Sequence, residues 1–320
     1  MLKHALLAAL CTAFSLFLAY GVSPGIAQAG VQVADGAFVS PTPADTYAPV
    51  NSFAYATGGQ PRVVMWYQSW TDPYIANFQT PWMNSVIAHG SQPMITWEPW
   101  VSGSRPLAQI ANGRYDAYIR RFARASAAWG KPYYLRFAHE MNGNWYPWSP
   151  GVRGNTASDY VRAWRRVHAI FDQEGASNVK WVWSPNEKYP GSTPFATVYP
   201  GSAYVDLVGI DGYNWGSTRS SGWRTFTAIF APSYDELTRS VARGKPIIIA
   251  ETGSAEAGGN KAAWISNAYG KEIPSRFPLL RGVLWFNENR ETDWRVNSSG
   301  AALTAYRGVI ANARYQGRLP

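Results

Sequence analysis

The chain has 320 residues, of which 46% are hydrophobic, 15% aromatic and only 15% charged. Soluble domains carry about 25% charged residues, and disordered chains are rich in charge and poor in apolar side chains, so this composition excludes disorder. The single Cys excludes a scaffold of intramolecular disulfides, and the formal net charge of +9 is scattered rather than gathered into a basic stripe. We therefore expect no nucleic-acid partner.

The first 29 residues have the pattern of a secretory signal. Lys3 precedes an apolar run from Ala5 to Tyr20, and a small-x-small cleavage pattern ends at Ala29. The run is shorter than the roughly 20 residues that span a membrane, although an uncleaved anchor is the alternative. We expect residues 1–29 to be removed, which lowers the net charge from +9 to +8. Residues 30–320 then form a secreted chain, extracellular or periplasmic, with no membrane attachment.

Eight short apolar or aromatic runs follow this segment. Most of them lack the polar alternation of a sheet with one solvent face, which is typical of parallel strands buried on both faces. The predicted strands are Gly36–Val39, Val63–Tyr67, Pro93–Trp97, Pro132–Phe137, Val179–Trp183, Val205–Ile210, Pro246–Ala250 and Leu280–Phe286. A long loop is expected over Thr42–Gly59, between the first two strands.

Amphipathic stretches separate the later strands. Helices are predicted over Tyr115–Trp129, Ala157–Glu174, Ser233–Arg243, Asn260–Gly270 and Gly300–Asn312. Eight strands separated by helices predict a single α/β domain over residues 30–320, folded as a (β/α)8 barrel. A doubly wound open sheet is the alternative, but no Gly-rich phosphate loop follows any strand.

Two acidic residues follow predicted strands on opposite sides of this barrel. Glu140 follows the fourth strand and Glu251 follows the seventh. Reactive residues of such barrels stand past the carboxyl ends of the strands, so both acids are expected in one mouth. Cleavage of a glycosidic bond requires two carboxyls, one to protonate the leaving oxygen and one to attack or stabilise the sugar carbon. From spacing alone, ion pairing with bases such as Arg136 is an equally good interpretation.

Aromatic rings are expected at the same mouth, where they suit the apolar faces of sugars. The candidates are Trp66, Tyr67, Trp70, Trp97, Trp100, Trp145, Trp148, Tyr213, Trp215 and Trp285. For Trp66, Trp100 and Trp148, filling the gap between barrel and helices is the alternative. The four His residues have no paired spacing that predicts a metal site, and no cofactor is expected.

The run LRFAHEMNGNWYPW at residues 135–148 closely resembles the acid/base motif of glycoside hydrolase family 26. This family contains β-mannanases with some mixed-linkage glucanases and 1,3-xylanases. Further segments match in the same order: VWSPN at 182–186, YPG at 199–201, YVDLVGIDGYNWG at 204–216, PIIIAETG at 246–253, WFNEN at 285–289 and DW at 293–294. The resemblance extends from about residue 36 to the last helix.

The resemblance implies a retaining mechanism on a (β/α)8 barrel. Glu140 would be the acid/base and Glu251 the nucleophile, with their carboxyls roughly 5–5.5 Å apart. Tyr213 matches the family tyrosine that hydrogen-bonds the nucleophile. The residues expected to bind or support the sugar are His139, Arg136, Trp145, Tyr213, Trp285, Trp97, Trp148 and Trp215.

The third strand end departs from the family's best-known members. Many of its mannanases have Trp-His followed by Asn-Pro there, whereas this chain has Trp97-Glu98-Pro99, and Glu98 is a further candidate for the cleft. The prediction is therefore a retaining endo-β-glycanase that acts on mannan or, equally, on mixed-linkage or another β-glucan. A non-catalytic carbohydrate-binding protein and a transglycosylase that remodels exported polysaccharide are the alternatives. The oligomeric state is left open, with a monomer favoured.

Overall fold

The computed structural model describes residues 31–39 and 47–320. Within these residues eight parallel strands close into a barrel in chain order, with the eighth paired to the first. They are β1 (Ala34–Phe38), β2 (Val63–Ser69), β3 (Gln92–Glu98), β4 (Tyr133–Phe137), β5 (Val179–Trp183), β6 (Leu207–Asn214), β7 (Ile247–Ser254) and β8 (Leu280–Phe286). The predicted (β/α)8 barrel is confirmed and the open sheet is excluded. The predicted signal lies outside the described residues.

Helices connect the strands and pack around the barrel. They are α1 (Ala48–Thr57), α2 (Thr80–Ala88), α3 (Pro106–Ala111), α4 (Asp116–Trp129), α5 (Ala157–Gln173), α6 (Phe195–Val198), α7 (Phe226–Glu236), α8 (Lys261–Asn267), α9 (Ile273–Arg276) and α10 (Gly300–Ile310). π-Helical turns at Leu237–Val241 and Ala268–Glu272 continue α7 and α8. In the described part of the chain, no helix has the length and apolar character needed to cross a membrane.

The expected loop over Thr42–Gly59 is wrong in its second half, because α1 lies there. The helix has Pro49 in its first turn and ends at Gly58, whose φ of 86° is left-handed. Proline at a helix start and glycine just past its end are ordinary boundary signals, so the sequence did contain the signals that predict this helix. Its buried residues Val50 and Phe53 have helical spacing.

Alternation along the strands divides the core into two layers. One set of side chains fills the barrel: Ala34, Val63, Met65, Met94, Tyr134, Val182, Leu207, Ile248, Ala250 and Leu284. Their neighbours along the chain, such as Trp66, Trp97 and Trp285, pack outward with the helices. Because successive side chains of a strand point to opposite faces, one residue step decides which layer a ring enters.

Strands β6 and β7 continue past their predicted ends, to Asn214 and Ser254. The pairing between them shifts after Ile210, so that Asp211 lies opposite Glu251 and Ala250 is an extra residue in β7. Such a bulge re-aims the side chains that follow it. It brings Glu251 onto the barrel side even though Ala250, the residue before it, already faces inward.

Candidate active site

A cleft of about 700 Å³ opens where the carboxyl ends of the strands meet. Its walls combine carboxyls with aromatic rings: Tyr67, Glu98, Trp100, Glu140, Trp145, Tyr146, Asn186, Glu187, Tyr213, Trp215, Arg219, Glu251, Phe286, Arg290, Glu291 and Trp294. The structure thus places Glu140 and Glu251 in one cavity, as expected for acids that follow β4 and β7. Of the predicted rings, Trp145, Tyr213 and Trp215 lie in the same walls, together with Tyr67 and Trp100.

The prediction that Trp97 and Trp285 line the cleft is wrong. Both are fully buried in the outer layer, between the barrel and the helices. The indole N–H of Trp97 donates to the Tyr118 hydroxyl at 3.1 Å, and that of Trp285 donates to the Trp294 carbonyl at 2.7 Å. The ring that reaches the cleft from β8 is Phe286, one residue farther along the strand and therefore on its other face. Trp66 and Trp70 are likewise buried with this outer layer.

Trp148 does not line the cleft either, and it supports the loop that carries Glu140. Its ring is buried and stacked on Tyr146, with centroids 4.4 Å apart and planes at 10°. Its indole N–H donates to the carbonyl of His139 at 2.7 Å. The ring thus fixes the backbone immediately before the acid without itself facing the cavity.

The backbone around His139 adopts an uncommon conformation. Ala138 and Glu140 have φ of 45° and 51°, a left-handed region that residues other than glycine rarely occupy. Hydrogen bonds fix this turn: the Glu140 N–H donates to the Ser184 carbonyl at 2.7 Å, and the Tyr160 hydroxyl donates to the Ala138 carbonyl at 3.2 Å. Each such backbone conformation costs about 1–3 kcal/mol and persists only where the surrounding structure fixes it. Conformations of this kind cluster at active sites.

Arg136 lies beneath the cleft, completely buried, and joins two carboxylates. One guanidinium nitrogen donates to Glu251 Oε1 at 2.5 Å and to Thr96 Oγ1 at 3.1 Å, and another donates to Asp211 Oδ2. Asp211 also accepts from the Ser184 hydroxyl at 3.1 Å. The Arg136 guanidinium therefore holds two buried carboxyls at once, and none of its hydrogen bonds reaches a third carboxyl of the site.

Glu140 is that third carboxyl. Its one side-chain hydrogen bond among the described residues is with the Trp145 indole N–H, which donates to Oε2 at 2.8 Å. Burial, and next the Glu251 carboxylate, raise the pKa of Glu140 to about 8, although Arg136 and Trp145 oppose the shift. Glu140 is therefore protonated at neutral pH and can donate a proton to a bound molecule.

Glu251 is held in the opposite way. Its Oε1 accepts from Arg136 and its Oε2 accepts from the Tyr213 hydroxyl at 2.6 Å. Burial raises the pKa of Tyr213 well above its ordinary value, so this phenol remains a donor. Hydrogen bonds from two donors favour the charged form of a carboxylate, so Glu140 and Glu251 face one cleft from unlike environments.

His139 supports the site from behind its wall. Its ring is buried, and Nε2 lies 3.1 Å from the hydroxyl of Tyr146, which itself lines the cleft. Burial, with the nearby Arg136 charge, lowers the pKa of His139 well below its ordinary value. His139 is therefore neutral and adds no second positive charge beside Glu140.

Several residues of the site were not singled out by sequence reasoning. Asp211, the second partner of Arg136, lies two residues before Tyr213 and shares its face of β6, which was the available signal. Tyr146 and Phe286 are adjacent to predicted residues but on the cleft side. Among the described residues, no group of three or more His, Cys, Asp and Glu side chains could hold a metal ion.

Gly143 provides the space that Trp145 occupies, so its replacement should reduce activity without unfolding the protein. A Cβ atom at residue 143 would lie 2.6 Å from the Trp145 ring, which must then move off Glu140. On the expectation that Glu140 is the acid, Gly143→Ala should lower kcat about 100-fold, the loss that a displacement of about 1 Å causes at a reacting group. Gly308→Ala, on α10 with open space around it, is the matched control for both kcat and Tm. Equal kcat values in the two variants would show that Gly143 does not position Trp145.

Comparison with known proteins gives a consistent family. The model of glycosyl hydrolase family 26 matches residues 112–273, about half of the chain. Endoglucanase H of Acetivibrio thermocellus is 42% identical over 280 residues, which are 86% of this chain and 30% of that protein. Mannan endo-1,4-beta-mannosidase of Bacillus subtilis (strain 168) is 26% identical over 261 residues, which are 78% of this chain and 61% of that enzyme. The chain thus spans less than two thirds of either relative.

A solved structure has the same fold at lower identity. The catalytic domain of the Bacillus sp. JAMB-750 GH26 endo-beta-1,4-mannanase superposes with a TM-score of 0.68 at 20% identity. The superposition covers 88% of this chain and 86% of that domain. At this identity the likeness concerns the barrel alone.

Proposed function

Because the chain belongs to glycosyl hydrolase family 26, we propose that it is a secreted, retaining endo-β-glycanase with Glu140 as acid/base and Glu251 as nucleophile. The observation that carries this proposal is the unequal environment of the two carboxyls in one cleft. Glu140 has only an indole N–H and a raised pKa, whereas Glu251 has Arg136 and Tyr213 as donors. An acid and an anion facing one ring-lined cavity are what a double displacement requires.

In the first step, the Glu251 carboxylate attacks the anomeric carbon and the bond to the leaving oxygen breaks. Glu140 gives its proton to that oxygen, so the leaving sugar departs as a neutral alcohol. A covalent glycosyl ester on Glu251 remains, and Tyr213 and Arg136 stay beside it. Glu140 becomes a carboxylate as the Glu251 charge disappears, so the total charge of the cleft is conserved.

In the second step, the Glu140 carboxylate removes a proton from water. The water oxygen attacks the anomeric carbon, and the ester bond to Glu251 breaks, which regenerates both carboxyls in their original states. Two inversions at one carbon retain its configuration. The product therefore appears first as the β anomer.

A β-glucan is the proposed substrate. Endoglucanase H is more similar to this chain than the mannosidase from Bacillus subtilis strain 168, at 42% against 26% identity. Mannan is the second candidate, favoured by the names of several other relatives. The word endo in both groups of names supports cleavage within the polymer, and the N-terminal sequence pattern supports secretion.

Reducing-sugar release on a polymer panel tests the proposal. The panel contains mixed-linkage glucan, carboxymethylcellulose, mannan, glucomannan and 1,3-xylan, with product anomers followed by NMR. Release from a β-glucan with the β anomer formed first is expected. The α anomer would exclude a retaining mechanism. Polymer retardation in a gel without new reducing ends would favour a binding protein, and longer products with excess acceptor would favour a transglycosylase.

At high pH, kcat/KM should decline because Glu140 loses its proton. Its protonated form is the reactive acid, so kcat/KM should fall about tenfold per pH unit above about pH 8. The Trp145 N–H stabilises the charged form, so Trp145→Phe should move this limb to higher pH, whatever its effect on the maximum. Profiles of kcat/KM from about pH 5 to about pH 10 measure both effects. If the high-pH decline of kcat/KM occurs at the same pH in Trp145→Phe, the decline belongs to a group other than Glu140.

A further inference from the structure

A third strand end contributes a carboxyl to the cleft. Glu98 is the last residue of β3, and it lines the cavity together with Trp100. Thr96, two residues earlier, points the same way and accepts from Arg136, so this face of β3 points toward the site. Glu98 is only 9% exposed. Its carboxyl is thus largely removed from bulk water although it faces the cavity.

Glu98 differs from the other acids of the cleft in its partners. Glu251 has Arg136, Glu187 has Arg224 at 2.7 Å, and Glu291 has Arg290 at 3.5 Å. No ion pair of Glu98 with a Lys, Arg or His occurs among the described residues. Glu140 also lacks a cation, but its proton has a use in the proposed reaction. Glu98 is the remaining cleft carboxyl with neither a cation nor an assigned task.

Burying such a carboxyl costs free energy, and no ion pair among the described residues offsets that cost. Burial raises the pKa of Glu98 to about 7, with the Glu251 charge adding to the shift and the Trp100 side chain opposing it. A group of this kind in a cleft is a candidate for function rather than for stability. Sugar hydroxyls can satisfy it in either state, because the ionised carboxyl accepts two hydrogen bonds and the neutral one accepts and donates.

The ring beside Glu98 is fixed and accessible. Trp100 is 41% exposed, and its edge meets the rings of Tyr146 and Trp148 at 75°. A ring held on one side and open on the other offers a flat apolar face to a sugar. The polar group and the stacking surface are therefore adjacent in one wall of the cleft.

We propose that Glu98 is a substrate-binding residue that determines specificity: its carboxyl hydrogen-bonds hydroxyl groups of a β-glucan ring that lies against Trp100. The inference rests on the proposed function, since it places a sugar in the same cleft. A site built to bond a hydroxyl discriminates against sugars that place this group elsewhere, because the buried carboxyl is then left unsatisfied. The 2-hydroxyl is the one group whose orientation differs between gluco and manno rings, so discrimination between them places the Glu98 hydrogen bond at that hydroxyl.

Steady-state kinetics of Glu98→Gln and Glu98→Ala test this role. With mixed-linkage glucan, Glu98→Ala should lose about 10- to 100-fold in kcat/KM, mostly through KM, because one charge-assisted hydrogen bond is removed. Glu98→Gln keeps the shape and one acceptor and should lose less. The ratio of glucan to mannan activity should fall in both variants. Asp172→Asn, which removes an exposed carboxyl on the outer helix α5, is the control for a simple loss of charge.

Binding separates this inference from the proposed function. Calorimetry with a mixed-linkage gluco-oligosaccharide, in a Glu251→Ala background with and without Glu98→Ala, should show the same 10- to 100-fold loss of affinity. An active wild type with unchanged KM, affinity and preference in both Glu98 variants would overturn the inference and leave the function standing. An inactive wild type whose affinity still depends on Glu98 would overturn the function alone. A shifted upper pH limb with unchanged affinity would make Glu98 a positioning residue for Glu140, which also overturns the inference.

Discussion

Replacing Glu251 by Ala is expected to lower kcat on the polymer by at least about 10⁴-fold, because the proposed covalent intermediate forms on the Glu251 carboxylate. The fold should survive the change. Arg136 keeps Asp211 as a partner in the variant, so no buried cation is left unpaired. Turnover of a β-glucan, together with the Tm of both proteins, measures the two effects separately.

Glu140→Ala is the informative companion variant, since it removes the proposed proton donor and leaves the proposed nucleophile. With an aryl glycoside whose leaving group needs no proton, Glu140→Ala should retain the first step, and Glu251→Ala should not. Near-wild-type turnover in Glu251→Ala would remove this residue from the mechanism. The reverse behaviour of the two variants would exchange the proposed roles.

Replacing Arg136 by Met should destabilise the protein more than any single surface change. It leaves Asp211 and Glu251 buried without their cation, and breaking a buried pair from one side costs about 3–5 kcal/mol. Activity should fall as well, because Glu251 loses one of its two donors. The free energy of unfolding from denaturant titration, and kcat for the fraction that remains folded, are the quantities to measure.

Arg105→Met is the matched control for this variant. Arg105 also forms an ion pair with an aspartate, Asp159, at 2.8 Å, but its side chain is 51% exposed. Asp159 is buried but keeps Arg162 at 2.6 Å when Arg105 is replaced, so no carboxylate loses its last cation. We therefore expect a loss of about 1 kcal/mol, as for an exposed ion pair, and the two variants should differ by several kcal/mol. Equal losses of stability would mean that the Arg136 network is no more important to the fold than a surface salt bridge.

The barrel could be predicted from the sequence because its signal is local. Buried parallel strands appear as continuous apolar runs, and all eight predicted strands begin within two residues of their observed starts, the fifth and eighth coinciding in full. The placement of Glu140 and Glu251 in one cleft follows from the same local signal, since the carboxyl ends of all strands in such a barrel meet on one side. The extensions of β6 and β7 could not be predicted, because Asp211 and Glu251 interrupt the apolar pattern.

The direction of the rings was decided by the tertiary structure alone. Trp97 and Trp285 stand beside cleft residues in the sequence but on the opposite face of their strands. By its motif Trp285 matches a ring of the sugar site, yet Phe286 is the residue whose ring lines the cleft. The face follows from strand register, and a shift of one residue reverses it. Neither composition nor motif specifies the strand register, so neither predicts which face of a strand a ring occupies.

Local sequence by itself thus determined the fold class and the placement of Glu140 and Glu251 in one cleft, since both depend on apolar periodicity and on where strands end. The tertiary structure decided which of these acids holds a proton. Arg136 reaches Asp211 and Glu251, which are 75 and 115 residues away along the chain, and Glu140 is left with an indole N–H. A pKa depends on burial and on charges within a few ångströms, and such distances exist only after distant strands have been brought together.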